Sequence, residues 1–337
     1  MRLRLWIVTD ALQPPARGNG TTVARWIDGL RSRGHELAIL EPGHTARSSW
    51  APDVVLGYHA ERCGPAAVAL AAHCGAASAI ALGGTDLLAL EDGSGRAGQG
   101  AIRRCDLVVG AFPSFGERLA ALELGSPAYA VVRRGVFRDP DPPLPRDPRR
   151  LEIALPSGLR RVKDPLFAIA RFAALRAAGI DARLRIVGAA LEDDLARAVI
   201  DAARALPGIE IGQRPPVAMG ALYARAHVVW NSSLHEGGAN AVLEAAALGC
   251  AVLLRDVPGN RELAAESGSP VALFRDDATS VAFHRALLCE SAADRDARHA
   301  ANAAWLARWH DPADEIEDLE RALHAAVAGR GGGPRSP

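Results

Sequence analysis

The run at residues 226–263, AHVVWNSSLHEGGANAVLEAAALGCAVLLRDVPGNREL, decides the reading of the chain. It opens on an apolar, β-rich segment at 227–230, as expected of a strand buried on both faces of a parallel sheet. A polar loop at 231–240 follows and contains the adjacent glycines Gly237 and Gly238. The pattern then predicts a helix over 240–248, with Asn240 as its N-cap and Gly249 as its stop. A second apolar strand at 251–254 and a turn at 257–260 complete a βαβ unit. In open α/β sheets the loop at a strand's carboxyl end is where ligands bind. Glycines let the backbone come close to a ligand, and the unpaired N–H groups of a helix start attract phosphate. Glu236 and Glu244 bracket that anion site. Carboxylates suit neutral hydroxyls and repel phosphate, so the combination suits a nucleotide-sugar.

Length and composition narrow the field. With 337 residues the chain has room for about two domains, and an apolar content of 49% supplies their cores. Zero formal net charge removes the basic surface expected of a nucleic-acid or anionic-membrane binder, and 5% aromatics is too few for a stacking platform. MRLRLWIVTD at 1–10 reads as a strand rather than a signal peptide, and the Ala-rich run at 66–82 falls short of a membrane span. Five cysteines, odd in number and without a C-x-x-C, predict a reducing cytoplasm and no disulfide framework. His59, Cys63, His73 and Cys74 match no zinc spacing, so no metal site is expected. Lys163 is the only lysine among 39 basic residues, and asparagine occurs only at 19, 231, 240, 260 and 302. Where codon bias has thinned both residue types, the survivors mark positions where chemistry requires them.

Strand and helix alternate through both halves. Strands are expected at 3–9, 36–40, 54–58, 78–82, 105–110 and 129–132, with helices at 21–33, 65–74 and 116–124 and a mobile Gly-rich stretch at 92–100. Glycine turns close several strands: Gly18, Asn19 and Gly20 after the first, and Gly83, Gly84, Thr85 and Asp86 after the fourth. His59 ends the third. Residues 138–150 carry five prolines and no apolar periodicity, which marks a linker. Strands at 151–155, 184–187 and 209–211 follow, with helices at 165–178, 192–205, 281–288, 294–309 and 314–328. The predicted domains are therefore 1–137 and 151–310 about the 138–150 linker, then a terminal helix at 311–328 and a disordered tail at 329–337. Arg160 and Lys163 stand on the loop after the strand at 151–155, where cations oppose the helix dipole. A ligand explains them better than the helix does.

Glu236, seven residues and Glu244 on a strand–loop–helix resemble the E-x7-E element of family 4 retaining glycosyltransferases. The resemblance spans the chain and is strongest from 155 to 265. It implies the α/β GT-B fold, two Rossmann-like domains facing each other across a cleft, with the terminal helix crossing back to the first domain. It also assigns roles. The donor nucleotide-sugar would meet Glu244 at the ribose, Gly237, Gly238, Ala239 and Asn240 with Arg160 and Lys163 at the diphosphate, and Glu236 at the sugar. Gly212 and Arg214 would lie near the base. A small-molecule acceptor would meet Gly18, Asn19, His59, Thr85 and Asp86. Glu236, Arg160, Lys163 and Asp86 would form the catalytic set, with no metal or cofactor required because side chains supply the cations.

The segment GLRRVKDP at 158–165 has Gly158 where the family usually carries arginine. With G-T-D at 84–86 and E-G-G-A-N at 236–240, it is similar to the selenosugar synthases. That likeness implies a UDP-sugar such as UDP-GlcNAc as donor and selenophosphate as acceptor, the anion engaging Arg17, Arg25 or Arg62. Ordinary O- or S-transfer to another small molecule remains the alternative. An NAD-dependent oxidoreductase, read from Gly18-Asn19-Gly20 with Glu41, is a further one.

Overall fold

The computed structural model describes residues 2–12, 18–44, 49–137, 146–147, 149–268 and 271–331. The chain forms two compact units, Met1–Gly135 with Pro312–Pro337, and Val136–Asp311. The first unit runs β1 (Arg4–Val8), α1 (Gly18–Ser32), β2 (Glu36–Leu40), β3 (Val54–Tyr58), α2 (Gly64–Cys74), β4 (Ala77–Ala81), α3 (Thr85–Glu91), α4 (Arg96–Ile102), β5 (Leu107–Gly110), α5 (Pro113–Ala120) and β6 (Ala128–Val131). The second runs β7 (Leu151–Pro156), α6 (Pro165–Ala177), β8 (Ala182–Val187), α7 (Asp193–Arg204), β9 (Ile209–Gly212), α8 (Met219–Arg225), β10 (Val228–Asn231), α9 (Asn240–Ala247), β11 (Ala251–Arg255), α10 (Pro258–Ser267), β12 (Val271–Phe274), α11 (Asp277–Leu288) and α12 (Ala292–Trp309). The last helix, α13 (Pro312–Gly331), returns to the first unit.

Each unit holds a six-stranded sheet, ordered β2-β1-β3-β4-β5-β6 in the first and β12-β11-β10-β7-β8-β9 in the second. All ten strand pairings are parallel, Leu5 opposite Val54 and Val228 opposite Ile153 among them. β3 and β4 are buried at every residue, which is why they read as continuous apolar runs instead of alternating ones. In both sheets the strand order reverses beside the first strand of the unit, between β1 and β3 and between β7 and β10. Those reversals open the crevices where ligands bind in open α/β sheets.

The first core packs Val23, Trp26 and Leu30 of α1 and Leu319 and Leu323 of α13 against the strands. α13 is fastened by Glu315, whose buried carboxylate accepts from Arg25 Nε and Nη2, Trp26 Nε1 and the Gly135 amide. Both carboxylate oxygens are thus hydrogen-bonded, as a buried polar group requires. The second core gathers Ile153, Phe172, Leu184, Val228, Trp230 and Leu253.

Several elements differ from the sequence reading. Residues 96–102 form α4 where a mobile stretch was expected. Gly98 there is a close-packing residue, since a Cβ would lie 2.9 Å from Glu61 Oε2, and its amide donates to that oxygen at 2.6 Å. The expected turn at 257–260 is the start of α10, with Pro258 pre-setting its first φ. Asn240 is the first residue of α9 rather than its cap, which is Ala239. α1 begins at Gly18, so Gly18, Asn19 and Gly20 are its first turn. A Cβ on Gly20 would come within 2.5 Å of the Ala11 carbonyl, a packing demand for glycine that needs no nucleotide. Of the expected linker, 138–145 and 148 lie outside the described residues, as do Arg17 and the tail from 332.

Candidate functional site

Glu236 is the centre of the second unit's crevice. The β7 strand ends at Pro156, and its loop closes with a 3-10 turn, Arg161–Lys163, before Asp164 starts α6. Asp164 adopts φ 39°, unusual for a residue with a side chain, and its Oδ1 accepts from the Phe167 amide at 3.2 Å. The loop after β10 lies alongside. Leu234 N donates to Val162 O at 2.9 Å and Ser232 Oγ to Lys163 O at 2.6 Å. This stitching carries Lys163 Nζ to 2.5 Å from Glu236 Oε1. Asn231 Nδ2 at 2.8 Å and Ser233 Oγ at 2.5 Å donate to the same oxygen.

The carboxylate is 9% exposed, and burial by itself would raise its pKa. The Lys163 charge and the three hydrogen bonds outweigh burial and hold it below the ordinary carboxylate value. Glu236 is therefore an anion whose Oε1 is saturated, with no donor on Oε2 among the described residues. Asn260, fully buried, donates to Asn231 Oδ1 at 3.3 Å and fixes that amide in turn. A Cβ on Gly259 would lie 2.2 Å from the Glu236 carbonyl, so glycine is required there for α10 to approach. Gly238 takes φ 95°, the left-handed conformation that glycine adopts without strain. It turns the chain into α9, where Val242 N and Leu243 N donate to the Ala239 carbonyl and the first two amides, of Asn240 and Ala241, have no carbonyl within the helix to bond.

One turn into α9, half-buried Glu244 is hydrogen-bonded to the buried Tyr223 hydroxyl. Burial first, and the Glu244 charge second, push that phenol far up, so it stays protonated and donates. No sequence pattern points to this partner. Arg160 precedes the 3-10 turn in extended conformation and is half-buried. Gly212 and Arg214 are exposed at the end of β9, two strands from β7.

The first unit brings its candidates together at the ends of β1, β3 and β4. Asn19 lies against Gly83, where a Cβ would stand 3.0 Å from Asn19 Nδ2. Asp86 is wholly buried and accepts from Ala60 N and Gly83 N, both at 2.8 Å, and from Leu87 N at 3.1 Å. A carboxylate engaged this way holds the loops after β3 and β4. His59 takes φ 96° at the end of β3, with Nδ1 accepting from Arg62 N at 3.3 Å and 4.0 Å from Asp86 Oδ2. Burial lowers its pKa more than the Asp86 charge restores it, so the ring is held neutral with its proton on Nε2. Thr85 is half-buried at the start of α3, and Gly18 is exposed at the start of α1.

Of the arginines expected to meet an anionic acceptor, Arg25 and Arg62 are engaged elsewhere. Arg25 is bound to Glu315, and Arg62 Nε donates to Asp10 Oδ2 at 2.6 Å. Three buried cysteines offer no nucleophile: burial pushes the thiols of Cys63 and Cys250 up to about 11 and that of Cys105 to about 12. Among the described residues no three His, Cys, Asp or Glu side chains gather as a metal site, and no helix is long and apolar enough to cross a membrane.

The structure brings the expected Lys163 and Glu236 together beside the glycine loop. Asn231 and Asn260 were signalled only by the scarcity of asparagine. Ser233 and Tyr223 carried no signal.

Residues 152–289 match the family model of glycosyl transferases group 1. A Xenopus tropicalis protein named glycosyltransferase 1 domain-containing protein 1 is 36% identical over 104 residues, 31% of this chain and 30% of that relative. The match thus spans about a third of the relative's length. Among solved structures, Anabaena HepE in complex with UDP and glucose aligns over 96% of this chain and 100% of its own, at 12% identity and TM-score 0.73. Sucrose-phosphate synthase from Thermosynechococcus elongatus aligns over the same shares at 13% and 0.74. A UDP-forming α,α-trehalose-phosphate synthase from Burkholderia vietnamiensis aligns over 98% of both chains at 12% and 0.72. The chain has the α/β GT-B fold of these proteins.

Proposed function

We propose that the protein is a glycosyltransferase that moves a sugar from a UDP-linked donor to a small acceptor. The observation that carries this is the convergence of Lys163, Asn231 and Ser233 on one oxygen of Glu236, at the strand-order reversal of the second sheet. A buried, ionised carboxylate with its second oxygen available suits a sugar hydroxyl. The ammonium beside it and the first amides of α9 suit the diphosphate. As the sugar–phosphate bond breaks, negative charge grows on the leaving UDP, and Lys163 and those amides are already in place to meet it. Glu244 takes a ribose hydroxyl in this reading, its carboxylate oriented by Tyr223. Gly212 and Arg214 border the base. The group 1 match over 152–289 and the likeness to a UDP–glucose complex support a nucleotide-sugar donor.

In the first unit the groups that can meet an acceptor are neutral: the Asn19 amide, the Thr85 hydroxyl and His59 Nε2–H. Selenophosphate is the first acceptor to test, because the 158–165 segment resembles selenosugar synthases. Thiols and sugar hydroxyls are its competitors. Calorimetric titration with UDP, GDP, ADP and NADH, each with and without magnesium, tests the donor assignment. Binding selective for UDP and indifferent to magnesium is the expected result. Binding of NADH alone would return the oxidoreductase alternative.

A further inference from the structure

We infer that Arg255 is a positioning residue that holds the Lys163 loop in its active shape. Arg255 is the last residue of β11, the strand next to β10, and its side chain reaches both neighbouring loops. Its Nη1 donates to Asp164 Oδ2 at 2.6 Å and to the Ser232 carbonyl at 3.2 Å. The guanidinium also lies over the Phe167 ring, 4.3 Å from its centroid. Its own carbonyl accepts from Asn260 Nδ2 at 2.9 Å, in the same network that fixes Asn231. One side chain thus ties the loops after β7, β10 and β11.

The residues it grips flank Lys163 on both sides. Asp164 follows Lys163 directly and sits at φ 39°, a conformation that a residue with a side chain adopts at a cost and keeps only when its surroundings enforce it. Asp164 Oδ1 caps α6 while Oδ2 faces Arg255, so the carboxylate is held at both oxygens. Ser232 donates its hydroxyl to Lys163 O and accepts from Arg255 through its carbonyl. Remove the guanidinium, and Asp164 loses its counter-charge and Ser232 its carbonyl donor. The strained turn then loses its one charged anchor on Asp164 and keeps the capping bond, its own backbone bonds and the contacts of Lys163 with the β10 loop. Lysine cannot reproduce the arrangement, because it lacks the planar face that stacks on Phe167.

The sequence supplies a reporter that does not depend on activity. Lys163 is the only lysine in the chain, so endoproteinase Lys-C has one site, the bond between Lys163 and Asp164. Cleavage needs that loop to open locally, and its rate measures the population of the open form. Arg255→Met is expected to be cut at least about tenfold faster than the native protein at equal thermal stability, into fragments 1–163 and 164–337, with Arg255→Lys between the two. Equal rates for native protein and Arg255→Met would overturn the inference. Should Arg255→Met fail to fold, Asp164→Asn keeps the α6 cap, removes the charge that Arg255 grips, and is expected to show the same acceleration.

The functional arm rests on the donor assignment above. Arg255→Met should weaken UDP binding roughly tenfold in the native background and leave it unchanged in a Lys163→Ala background, because its effect passes through Lys163. Additive losses in that cycle would mean that Arg255 acts independently and would also overturn the inference. Failure of the native protein to bind UDP would instead refute the donor assignment, and the cleavage rates would still decide the role of Arg255.

Discussion

The two units share a scaffold and differ in what they place at its crevice. Both sheets are six-stranded and parallel, and both reverse their strand order beside the unit's first strand. Each crevice also contains a buried carboxylate, Asp86 in the first and Glu236 in the second. Asp86 has backbone amides on both oxygens, whereas the three donors to Glu236 are side chains and crowd onto Oε1 alone. Backbone donors make a carboxylate part of the fold. Side-chain donors on one oxygen make it a prepared acceptor with the other oxygen to spare. Burial and charge alone do not separate these two carboxylates; the origin and distribution of their donors do.

The sharpest way to break this contrast is to remove one group from each side. Lys163→Ala should lower kcat by about a hundred- to a thousandfold, the usual cost of losing one preorganised group opposite developing charge, and should lower the melting temperature less than Asp86→Ala does, because Asn231 and Ser233 still hold the Glu236 oxygen. Asp86→Ala should do the reverse. It leaves buried amides of Ala60, Gly83 and Leu87 without acceptors, at roughly 1–3 kcal/mol for each one that finds no water. Scanning calorimetry should then show a destabilised first unit. A Lys163→Ala protein that melts far below the native one, or an Asp86→Ala protein that melts with it, would erase the distinction.

A further contrast is electrostatic. His227 and His284, both in the second unit, are buried, and that burial lowers each to about 4. His284 accepts from Trp230 Nε1 at 3.0 Å through Nε2 and lies 2.6 Å from the Ser280 carbonyl through Nδ1, an arrangement only the neutral ring satisfies. The unfolded state takes up these protons near pH 6.5, and the folded state does so only near 4. The stability each neutral ring contributes is therefore complete above pH 6.5 and is lost as the pH falls from there towards 4. The loss is roughly 3 kcal/mol per histidine over that span. Melting temperatures measured from pH 7 to 4.5 should fall accordingly. His284→Gln, which keeps an acceptor for Trp230, should flatten the slope by about one proton. An unchanged slope would mean that His284 is not held neutral.

How much of this was legible in the sequence follows from where the partners of each residue lie. The parallel strands were readable because residues buried on both faces leave unbroken apolar runs, as at Val54, Val55 and Leu56. The loop after β10 was readable because Glu236, Gly237, Gly238 and Glu244 are close in sequence. α4 was misread because Gly95, Gly98 and Gly100 signal flexibility in a sequence, while Gly98 serves close packing in the fold. The start of α10 was misread for a similar reason, since Pro258-Gly259-Asn260 has the composition of a turn. Arg255 and Tyr223 could not be found at all. Arg255 is one arginine among many, and its partner Asp164 is 91 residues away. Tyr223 and Glu244 meet between two helices, which no local periodicity records.

The smallest expected effect concerns Glu244, and it asks whether that residue belongs with Glu236 or with Asp86. If its carboxylate accepts a ribose hydroxyl, the charge-assisted bond contributes about 1.5–3 kcal/mol, and Glu244→Ala should weaken UDP binding roughly ten- to hundredfold. Alanine also removes the partner of the buried Tyr223 hydroxyl, so some loss of stability will accompany it. Glu244→Gln separates the two roles. Glutamine still accepts from Tyr223 and so preserves the fold, but it offers a neutral oxygen to the ribose and should cost a smaller part of the affinity. A Glu244→Gln protein with native stability and weakened UDP binding places Glu244 beside Glu236 as a prepared acceptor. Native UDP affinity in both variants, with only Glu244→Ala destabilised, would make Glu244 a partner of Tyr223 and nothing more, and the second crevice would then hold one working carboxylate instead of two.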